Sequence, residues 1–533
     1  MRTIGLGALL LAGCSAAQVL VDFQVAAPPV VPQGAKQCTI EILQHSFAQY
    51  GVSAIANYTP PTDCGTPGSW AAITLNFTVT SNGTQYDRLG IFTFQNVEIW
   101  RTSTPEPTLH GIEWTYEKDV TRYMPLFEEP GLFIIQLDNI VQPGLTGIYT
   151  SVLHATFYES SWLHPPAPKA NAIIPISTMS NTTGNDASVP PGFSFEPNIG
   201  GPDQGPFREV RLLVDGQVAG VAFPYPVLFT GGIIPTAWRP ITSYGALDLP
   251  TYFIDVTPFV PVLTDGKAHN FTIDVASAEA DKGVLGNWYV SGNLQVFTDP
   301  SPKRTTGKIT SYNVEPYAES SIVGAVGSNG DVNVTVSATR KVSISSQFVS
   351  GSGKITFVEW TQNLAYTNTQ NYLQNNFVQN VYQYTSGSML SLHNGLPAVQ
   401  DKFNYPFILN YTTLSSDGNS FHCVIDHSYN RDLLPAPFTL GSSIQEHQIA
   451  GGYFITSPNG NTGNGTSNNT LNYIDGHLNT YSRQVDAAYN NITLDVVHGS
   501  LAPQHKPWTW PQLFPVPNFT KPRMSSLKLS KTH

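Results

Sequence analysis

The stretch from Tyr86 to Tyr123 holds the side chains best suited to chemistry. Asp87 and Arg88 follow a sharp Asn82-Gly83 turn, and charged and aromatic residues fill much of what comes after. A carboxylate can hold and activate a water molecule, and an adjacent guanidinium can polarise a carbonyl group or keep the acid ionised. The dipeptide alone fits a structural ion pair at a strand end equally well.

The residues before this stretch indicate how Asp87 is positioned. Apolar and polar residues alternate from Ile73 to Val79, which is the period of a strand with one buried face. Asp87 is therefore expected just past a hairpin turn, at the end of a strand.

Composition favours an all-β chain of two or three domains. The 533 residues exceed the usual size of one compact domain, only 12% of them are charged, and Gly, Pro and aromatic residues are abundant. The formal net charge of −11 argues against nucleic acid as a partner, because phosphate binding needs clustered Lys and Arg.

The N-terminus predicts a cleaved secretory signal over residues 1–17. Arg2 precedes an apolar run from Ile4 to Ala12, followed by small residues. Cys14 leaves open a bacterial lipoprotein signal as the alternative. No later stretch has the apolar length of a transmembrane helix, so a secreted protein without a membrane span is expected. Glycosylation acceptors agree with this route, although chance also produces them in Asn- and Thr-rich chains: Asn57, Asn76, Asn82, Asn181, Asn270, Asn333, Asn410, Asn464, Asn468, Asn491 and Asn518.

Three cysteines remain if Cys14 leaves with the signal. Cys38 and Cys64 are the natural disulfide in an oxidising compartment, and this bond closes a loop worth roughly 3 kcal/mol. Cys423 is then expected to be a buried free thiol, and a catalytic group with His422, Asp426 and His427 is the weaker interpretation.

Proline clusters mark the domain boundaries. We expect a first β-sandwich over residues 18–163, a Pro-rich linker over 164–170, a second β-sandwich over 171–299, a C-terminal β domain over 300–505 and a tail over 506–533. Asp215-Gly216 predicts a two-residue hairpin turn. The Gly-rich segment from Ser457 to Asn469 predicts a loose loop in the third domain.

A series of short fragments runs in one order from about Gln37 to about Phe297. They are Cys38-Thr39-Ile40, Tyr58-Thr59-Pro60-Pro61-Thr62-Asp63-Cys64, Tyr86-Asp87-Arg88-Leu89-Gly90, the segment from Arg101 to Tyr123, Pro206-Phe207-Arg208-Glu209-Val210, Gly231-Gly232, Trp238-Arg239-Pro240, Asn287-Trp288 and Gly292-Asn293-Leu294-Gln295-Val296-Phe297. Together they resemble the peptide-N4-(N-acetyl-β-glucosaminyl)asparagine amidase A family, whose members remove N-glycans from glycopeptides. The resemblance suggests a fungal member and implies tandem antiparallel jelly-roll-like β-sandwiches with a further C-terminal β domain.

The resemblance also implies which residues act. Bacterial peptide:N-glycosidases carry a related Trp-Asp-Arg motif whose Asp is the catalytic acid/base, so Asp87 is expected in that role, and Glu209 is the candidate for a second carboxylate from the second domain. The implied substrate is an N-glycopeptide or glycoprotein, with no cofactor and no metal. The remaining candidates are expected to bind substrate, although aromatic residues in β-sandwiches are more often core residues: Arg88, Arg101, Trp114, Trp238, Arg239 and Trp288.

One departure from the family pattern affects the second sandwich. Members usually carry a strand and an acidic, aromatic segment between Val-Pro-Pro-x-Phe-Ser and Pro-Phe-Arg-Glu-Val, whereas this chain has only residues 196–205 there. Loss of a central strand would expose ladder hydrogen bonds, so a damaged or rearranged second domain is expected. A mis-spliced or mispredicted transcript is the favoured explanation, and a decayed, inactive relative is the other.

Three functions therefore compete. Amidase action on N-glycopeptides leads. A noncatalytic glycan-binding secreted β protein is the alternative if the gap is genuine. A glycoside hydrolase, which needs two carboxylates flanking a sugar, is the third.

Overall fold

The computed structural model describes residues 19–176, 206–284, 290–437, 440–458 and 460–503, together with the backbone of two short strands at 179–180 and 184–185. The expected signal at 1–17, the shortened segment at 196–205, Trp288 and the tail at 506–533 lie outside the described residues. Within the described part no helix is long and apolar enough to cross a membrane.

Nine strands build a two-layered sandwich in the N-terminal part of the chain. One sheet has the order β1-β7-β4-β9-β2 and the other the order β3-β8-β5-β6, so the chain crosses between layers at nearly every connection. The jelly-roll assignment stays a prediction. The strands are β1 (Leu20–Asp22), β2 (Gln37–Phe47), β3 (Ala54–Tyr58), β4 (Ala72–Ser81), β5 (Leu89–Phe94), β6 (Val97–Ser103), β7 (Ile112–Asp119), β8 (Gly131–Leu137) and β9 (Tyr149–Tyr158).

Strand β4 confirms the alternation from Ile73 to Val79, because Leu75, Phe77 and Val79 are buried in the sandwich core. The hairpin after it was a wrong prediction. β4 pairs with β7 and β9, while β5 lies in the opposite sheet, so the Asn82-Gly83 turn begins a crossover. A turn signal is local and does not report which sheet the next strand joins.

The disulfide and the Pro-rich segment both tie the chain to this sandwich. Cys38 and Cys64 are bonded, as the sequence predicts. In the segment 164–170, the Ala167 amide donates to the Trp70 carbonyl at 3.0 Å, and Ala167 packs against the sandwich core. The segment is therefore anchored to the sandwich at Ala167 rather than free.

The next part of the chain forms three small sheets and a long irregular segment. β13 pairs with β14 through the expected Asp215-Gly216 turn, and β15 completes that sheet. The helix α2 (Val260–Leu263) follows a 3₁₀ turn at Thr257–Phe259, and another 3₁₀ turn spans Pro235–Trp238. A similar short helix, α1 (Met124–Phe127), follows a 3₁₀ turn at Thr121–Tyr123 between β7 and β8 of the first sandwich. The strands are β10 (Ala172–Pro175), β11 (Met179–Ser180), β12 (Gly184–Asn185), β13 (Glu209–Val214), β14 (Gln217–Ala222), β15 (Phe271–Ala276) and β16 (Asn293–Val296).

The C-terminal part is one antiparallel sheet of 11 strands, most of them unusually long. From β19 onward each strand pairs with the next, and β17 and β18 both pair with β19. The strands are β17 (Thr306–Val314), β18 (Glu319–Val326), β19 (Val332–Val349), β20 (Ile355–Leu373), β21 (Val378–His393), β22 (Leu396–Thr413), β23 (Ser420–Pro435), β24 (Ser442–Ile455), β25 (Thr462–Asp475), β26 (Thr480–Ala488) and β27 (Asn491–His498).

This large sheet covers the small β13–β15 sheet. Trp360 is fully buried, and its indole N–H donates to the Ala219 carbonyl at 3.0 Å. The Gln362 amide both accepts from the Val221 N–H and donates to the Val221 carbonyl, at 2.9 Å each. β14 thus gains side-chain partners for its backbone groups, and the second sandwich predicted over 171–299 shares its core with the C-terminal sheet.

The loose loop predicted from Ser457 to Asn469 is largely wrong, because β25 begins at Thr462. Glycine in this strand allows another part of the backbone to pack closely against it. A side chain at Gly465 would collide with the backbone of Thr236 and Ala237, in the 3₁₀ turn packed on this strand. Glycine in a strand marks either a break or a neighbouring backbone, and the sequence alone does not separate the two.

Candidate active site

Two loops of the first sandwich lie side by side where Asp87 is found. One loop, residues 82–88, connects β4 to β5, and the other, residues 104–111, connects β6 to β7. The Arg88 amide donates to Thr104 Oγ1 at 2.8 Å, and the Thr104 amide donates to the Arg88 carbonyl at 2.9 Å. These bonds extend the pairing of β5 with β6 by one step and fix the two loops relative to each other.

The Tyr149 hydroxyl also connects the same two loops. Its hydroxyl lies 2.8 Å from the Tyr86 carbonyl and 3.2 Å from the Pro105 carbonyl, and it can donate to either. Tyr86 precedes Asp87, and Pro105 precedes Glu106. One buried phenol on β9 therefore positions the residues next to two carboxylates that are far apart in sequence.

A third segment, from the irregular chain after β14, closes the site. The Gly231 amide donates to Asp87 Oδ2 at 3.3 Å. A Cβ atom at Gly231 would lie 2.9 Å from the Glu106 carboxyl carbon and 3.2 Å from that of Asp87. The sum of these distances, 6.1 Å, is the largest separation the two carboxyl carbons can have, so the carboxylates are close neighbours.

Arg239 supplies positive charge to this acidic pair. Its Nη2 donates to the Glu106 carbonyl at 2.9 Å and lies 3.5 Å from Glu106 Oε2. The Glu106 side chain is 14% exposed and Asp87 is also only partly buried, so neither carboxylate is sealed inside the protein. We name Asp87, Glu106, Gly231 and Arg239 the carboxylate cluster.

Burial dominates the electrostatics of the cluster. It raises the pKa of Asp87, against the opposing effects of the Gly231 hydrogen bond and the Arg88 charge. Burial also raises the pKa of Glu106 to about 7, where Arg239 opposes it and the nearby Asp87 charge adds to it. Two like charges this close disfavour joint ionisation, so one proton shared by the pair is expected near neutral pH.

Comparison with known proteins gives the site its context. The family model for peptide N-acetyl-beta-D-glucosaminyl asparaginase amidase A matches residues 28–202 and 198–315, more than half of the chain. The chain belongs to this family. A model of the PNGase_A C-terminal domain matches residues 333–407. The two matched stretches overlap at residues 198–202, within the segment 196–205 that the sequence predicts to be shortened.

Two proteins illustrate the relationship of this amidase A family member. A peptide-N4-(N-acetyl-beta-glucosaminyl)asparagine amidase A from Prunus dulcis is 34% identical over 398 residues, covering 63% of this chain and 67% of that protein. The solved structure of PNGase F, a glycosylasparaginase from Flavobacterium meningosepticum, is 14% identical and covers 48% of this chain and 94% of its own, with a TM-score of 0.31. That structural likeness is too weak to carry an argument.

Of the residues predicted to act in this amidase A family member, the structure brings together Asp87, Arg88 and Arg239. Arg88 lies beside Asp87, with its Nη2 donating to Gln85 Oε1 at 2.7 Å. Arg101 points elsewhere, since its guanidinium makes two hydrogen bonds to Glu98, at 2.6 and 2.7 Å. Its position gives no support to a role in substrate binding.

Of the three tryptophans predicted to bind substrate, the two that the structure describes are packing residues. Trp114 is 1% exposed and meets Tyr149 edge to face, with the ring centres 5.8 Å apart. Trp238 is fully buried, and its indole N–H donates to the Gly232 carbonyl at 2.8 Å. Neither presents a face on which a sugar could stack. Their buried rings instead support Tyr149 and the Gly231 segment.

Glu209 is not part of the carboxylate cluster. It is 1% exposed on β13, accepts a hydrogen bond from the Ala318 amide at 2.9 Å and lies 3.8 Å from Arg340 of β19. Arg340 belongs to the C-terminal sheet, and Ala318 lies in the connection between β17 and β18 of that sheet. Its observed role is a buried ion pair where the β13–β15 sheet meets β19, and its catalytic role remains an untested prediction.

Cys423 is buried and free, as expected. Burial raises the pKa of its thiol to about 12, which suppresses the thiolate that nucleophilic attack requires. On β23, His422 is exposed while Cys423 faces the core. The Cys/His/Asp interpretation therefore receives no support.

Three members of the site were not predicted from the sequence: Glu106, Gly231 as a backbone donor, and Tyr149. Glu106 lies in the segment from Arg101 to Tyr123 that already carries the family resemblance, so the signal was available. Gly231 contributes a backbone amide, which no side-chain pattern reveals. Tyr149 is one of many alternating aromatic residues in strands.

Asp22 is a further acidic residue whose charge interacts with that of Arg239. Its burial makes the stability of the fold depend on pH. It is 1% exposed, its Oδ1 accepts from the Phe23 amide at 2.9 Å, and its Oδ2 has no partner among the described residues. Burial raises its pKa to about 8, against the opposing Arg239 charge. The folded state therefore holds a proton that the unfolded chain releases near pH 4.

We expect Asp22→Asn to flatten the pH dependence of stability. A raised folded pKa means that the stabilisation is complete below about pH 4 and is lost as pH rises toward 8. The wild-type melting temperature should fall between pH 5 and pH 8, and that of the variant should fall less. Thermal melting at both pH values measures this, with the exposed Glu41→Gln as a matched control. Parallel curves for wild type and Asp22→Asn would contradict it.

Proposed function

We propose that this protein hydrolyses the amide bond between N-acetylglucosamine and the asparagine side chain of N-glycopeptides. The products are a glycosylamine and a peptide in which aspartate replaces asparagine. Membership of the amidase A family and the name of the almond relative support the reaction. The observation that carries it is the placement of Asp87, a partly exposed carboxylate held by the Gly231 amide beside the guanidinium of Arg88.

Asp87 acts as the general base in this proposal. Its carboxylate takes a proton from water as the water oxygen attacks the amide carbon, and the negative charge moves to the carbonyl oxygen. A positioned base contributes about 10²- to 10⁴-fold, so the remaining rate enhancement must come from orientation and from stabilisation of the oxyanion. Arg88, whose charge acts on Asp87, is the cation that we assign to this oxyanion, and Gln85 holds its guanidinium by a hydrogen bond.

The cellular context is part of the same proposal. A secretory signal at residues 1–17, the Cys38–Cys64 disulfide and the glycosylation acceptors together support a secreted glycoprotein. The net charge of −11 argues against nucleic acid as a partner. The glycopeptide or glycoprotein partner is supported by the family and by the name of the relative from Prunus dulcis.

Product analysis of the full chain tests the reaction. Incubation with a defined N-glycopeptide should release the intact glycan and leave Asp at the former glycosylation site, which mass spectrometry distinguishes. Cleavage within the glycan, leaving Asn with one sugar, would identify a glycoside hydrolase instead. Binding of the glycopeptide without turnover would replace the proposal with the noncatalytic alternative, which the shortened segment before Pro206 favours.

A further inference from the structure

We propose that Glu106 is a second catalytic carboxyl group, the acid that protonates the departing amide nitrogen while Asp87 takes the proton from water. The inference rests on the proposed amidase function. It assigns a role to a residue that neither the motif around Asp87 nor the expected second carboxylate, Glu209, identifies.

Geometry is the first argument. The two carboxyl carbons are at most 6.1 Å apart, because both crowd the space next to Gly231. A reacting amide placed between them would have its carbon near one carboxyl group and its nitrogen near the other. Both side chains remain partly exposed, so a substrate can reach them.

The protein also holds Glu106 in place without neutralising its carboxyl group. Thr104 and Pro105, just before it, are bound to Arg88 and Tyr149, and Arg239 binds its carbonyl oxygen. The Arg239 guanidinium approaches the Glu106 carboxylate at 3.5 Å, longer than a strong ion-pair hydrogen bond. Such a contact favours the carboxylate formed after proton donation and leaves the acid form accessible.

The charged and titratable groups around Glu106 come from every segment packed on it. Asp87 and Arg88 lie on the neighbouring loop, Arg239 lies on the irregular segment, Tyr149 lies on β9, and Asp22 of β1 faces Arg239. Asp87 disfavours a second negative charge, and Arg239 favours it. Burial is the largest influence, and with these two charges it raises the pKa of Glu106 to about 7, which suits an acid that must be protonated before each turnover.

The reaction balances with these two groups. The Asp87 carboxylate removes one proton from water, and a C–O bond forms to the amide carbon. The Glu106 acid gives its proton to nitrogen, the C–N bond breaks, and the oxyanion collapses to a carboxylic acid. The products are the glycosylamine and the aspartyl peptide. Asp87 is left protonated and Glu106 ionised, and a proton passing from Asp87 to Glu106, directly or through water, restores the starting state.

The pH dependence of glycopeptide hydrolysis tests this role. For wild type, kcat/KM should fall on the alkaline side of about pH 7 as Glu106 loses its proton. Glu106→Gln should lower kcat/KM about 10²-fold at pH 6 and remove that alkaline limb, because glutamine cannot donate an equivalent proton. Glu106→Asp should lose less and keep the limb. The exposed Glu113→Gln on β7 is the matched control and should behave as wild type.

A Glu106→Gln rate within twofold of wild type, with the alkaline limb of the pH profile intact, would overturn the assignment, while the proposed amidase activity would stand.

A second measurement needs no turnover. The infrared carboxyl band that Glu106→Gln removes should titrate near pH 7 in the wild type and at lower pH in Asp87→Asn, because the neighbouring negative charge is gone. An unchanged titration in Asp87→Asn would refute the pairing of the two carboxyl groups, whether or not the wild type releases glycan. Absence of glycan release by the wild type would instead refute the proposed amidase function.

Discussion

Replacing Asp87 by Asn is expected to lower kcat/KM for N-glycan release by about 10³-fold or more, the largest effect of any single side chain. The amide has nearly the same shape, and its oxygen can still accept from Gly231, but it cannot take a proton from water. Initial rates on a defined glycopeptide at pH 6 to 7 measure the loss.

Stability should not fall with that activity. The folded pKa of Asp87 is raised, so this group's stabilisation is lost as pH rises through the folded value, and a neutral amide escapes that cost. The melting temperature of Asp87→Asn at pH 8 should therefore equal or exceed that of wild type. Asp119→Asn, which alters an exposed carboxylate of the same sandwich, serves as the control. A variant at Asp87 that keeps more than a tenth of wild-type activity would remove the general base from the mechanism.

Local patterns in the sequence predicted local structure well. The alternation in β4, the Asp215-Gly216 turn, and the Cys38–Cys64 bond each depend on neighbours or on a short inventory of partners, and all three are found. In the C-terminal region, where a β domain is expected over 300–505, Val334 and Val336 of β19 are buried at the spacing of two that is typical of a strand.

Contacts between distant segments were beyond the same reasoning. Gly231 lies 144 residues from Asp87, and the bond between them uses a backbone amide. The irregular segment that carries it is held against the first sandwich by backbone contacts, such as the Ser103 amide donating to the Ala246 carbonyl at 2.7 Å. Apolar periodicity does not predict such contacts, because they leave no repeating pattern in the side chains.

The C-terminal sheet supplies hydrogen-bond partners to the domain that the sequence predicts to be damaged or rearranged. Loss of a central strand within 171–299 is expected to expose ladder hydrogen bonds. In the described residues, Trp360 and Gln362 of β20, more than a hundred residues further along the chain, form hydrogen bonds with backbone groups of β14. The family's C-terminal domain thus supports the segment after β14, and through it the position of Gly231 and Arg239.

Adding a single methyl group at Gly231 should disable the site without unfolding the protein. The new Cβ of Gly231→Ala would lie 2.9 Å from the Glu106 carboxyl carbon, a distance real Cβ atoms do not show, and 3.2 Å from that of Asp87. The side chains of Asp87 and Glu106 can rotate away from the new methyl group. The substitution should therefore displace the two carboxyl groups without disturbing the packing of the core. Since a displacement of about 1 Å can cost 10²-fold, and two groups move here, we expect kcat/KM to fall by about 10²- to 10³-fold.

The matching control and the pH profile separate this cause from general damage. Gly283→Ala adds the same methyl group at an exposed position, where it meets only the flexible Asp281 side chain at 3.1 Å or more, and should retain wild-type rates. Gly231→Ala should keep a melting temperature close to that of wild type. The alkaline limb of its kcat/KM profile should move to lower pH, because separating the carboxyl groups weakens the repulsion that adds to the effect of burial in raising the pKa of Glu106. Normal activity in Gly231→Ala would mean that the two carboxyl groups need not meet beside this glycine, and the shared site would have to be abandoned.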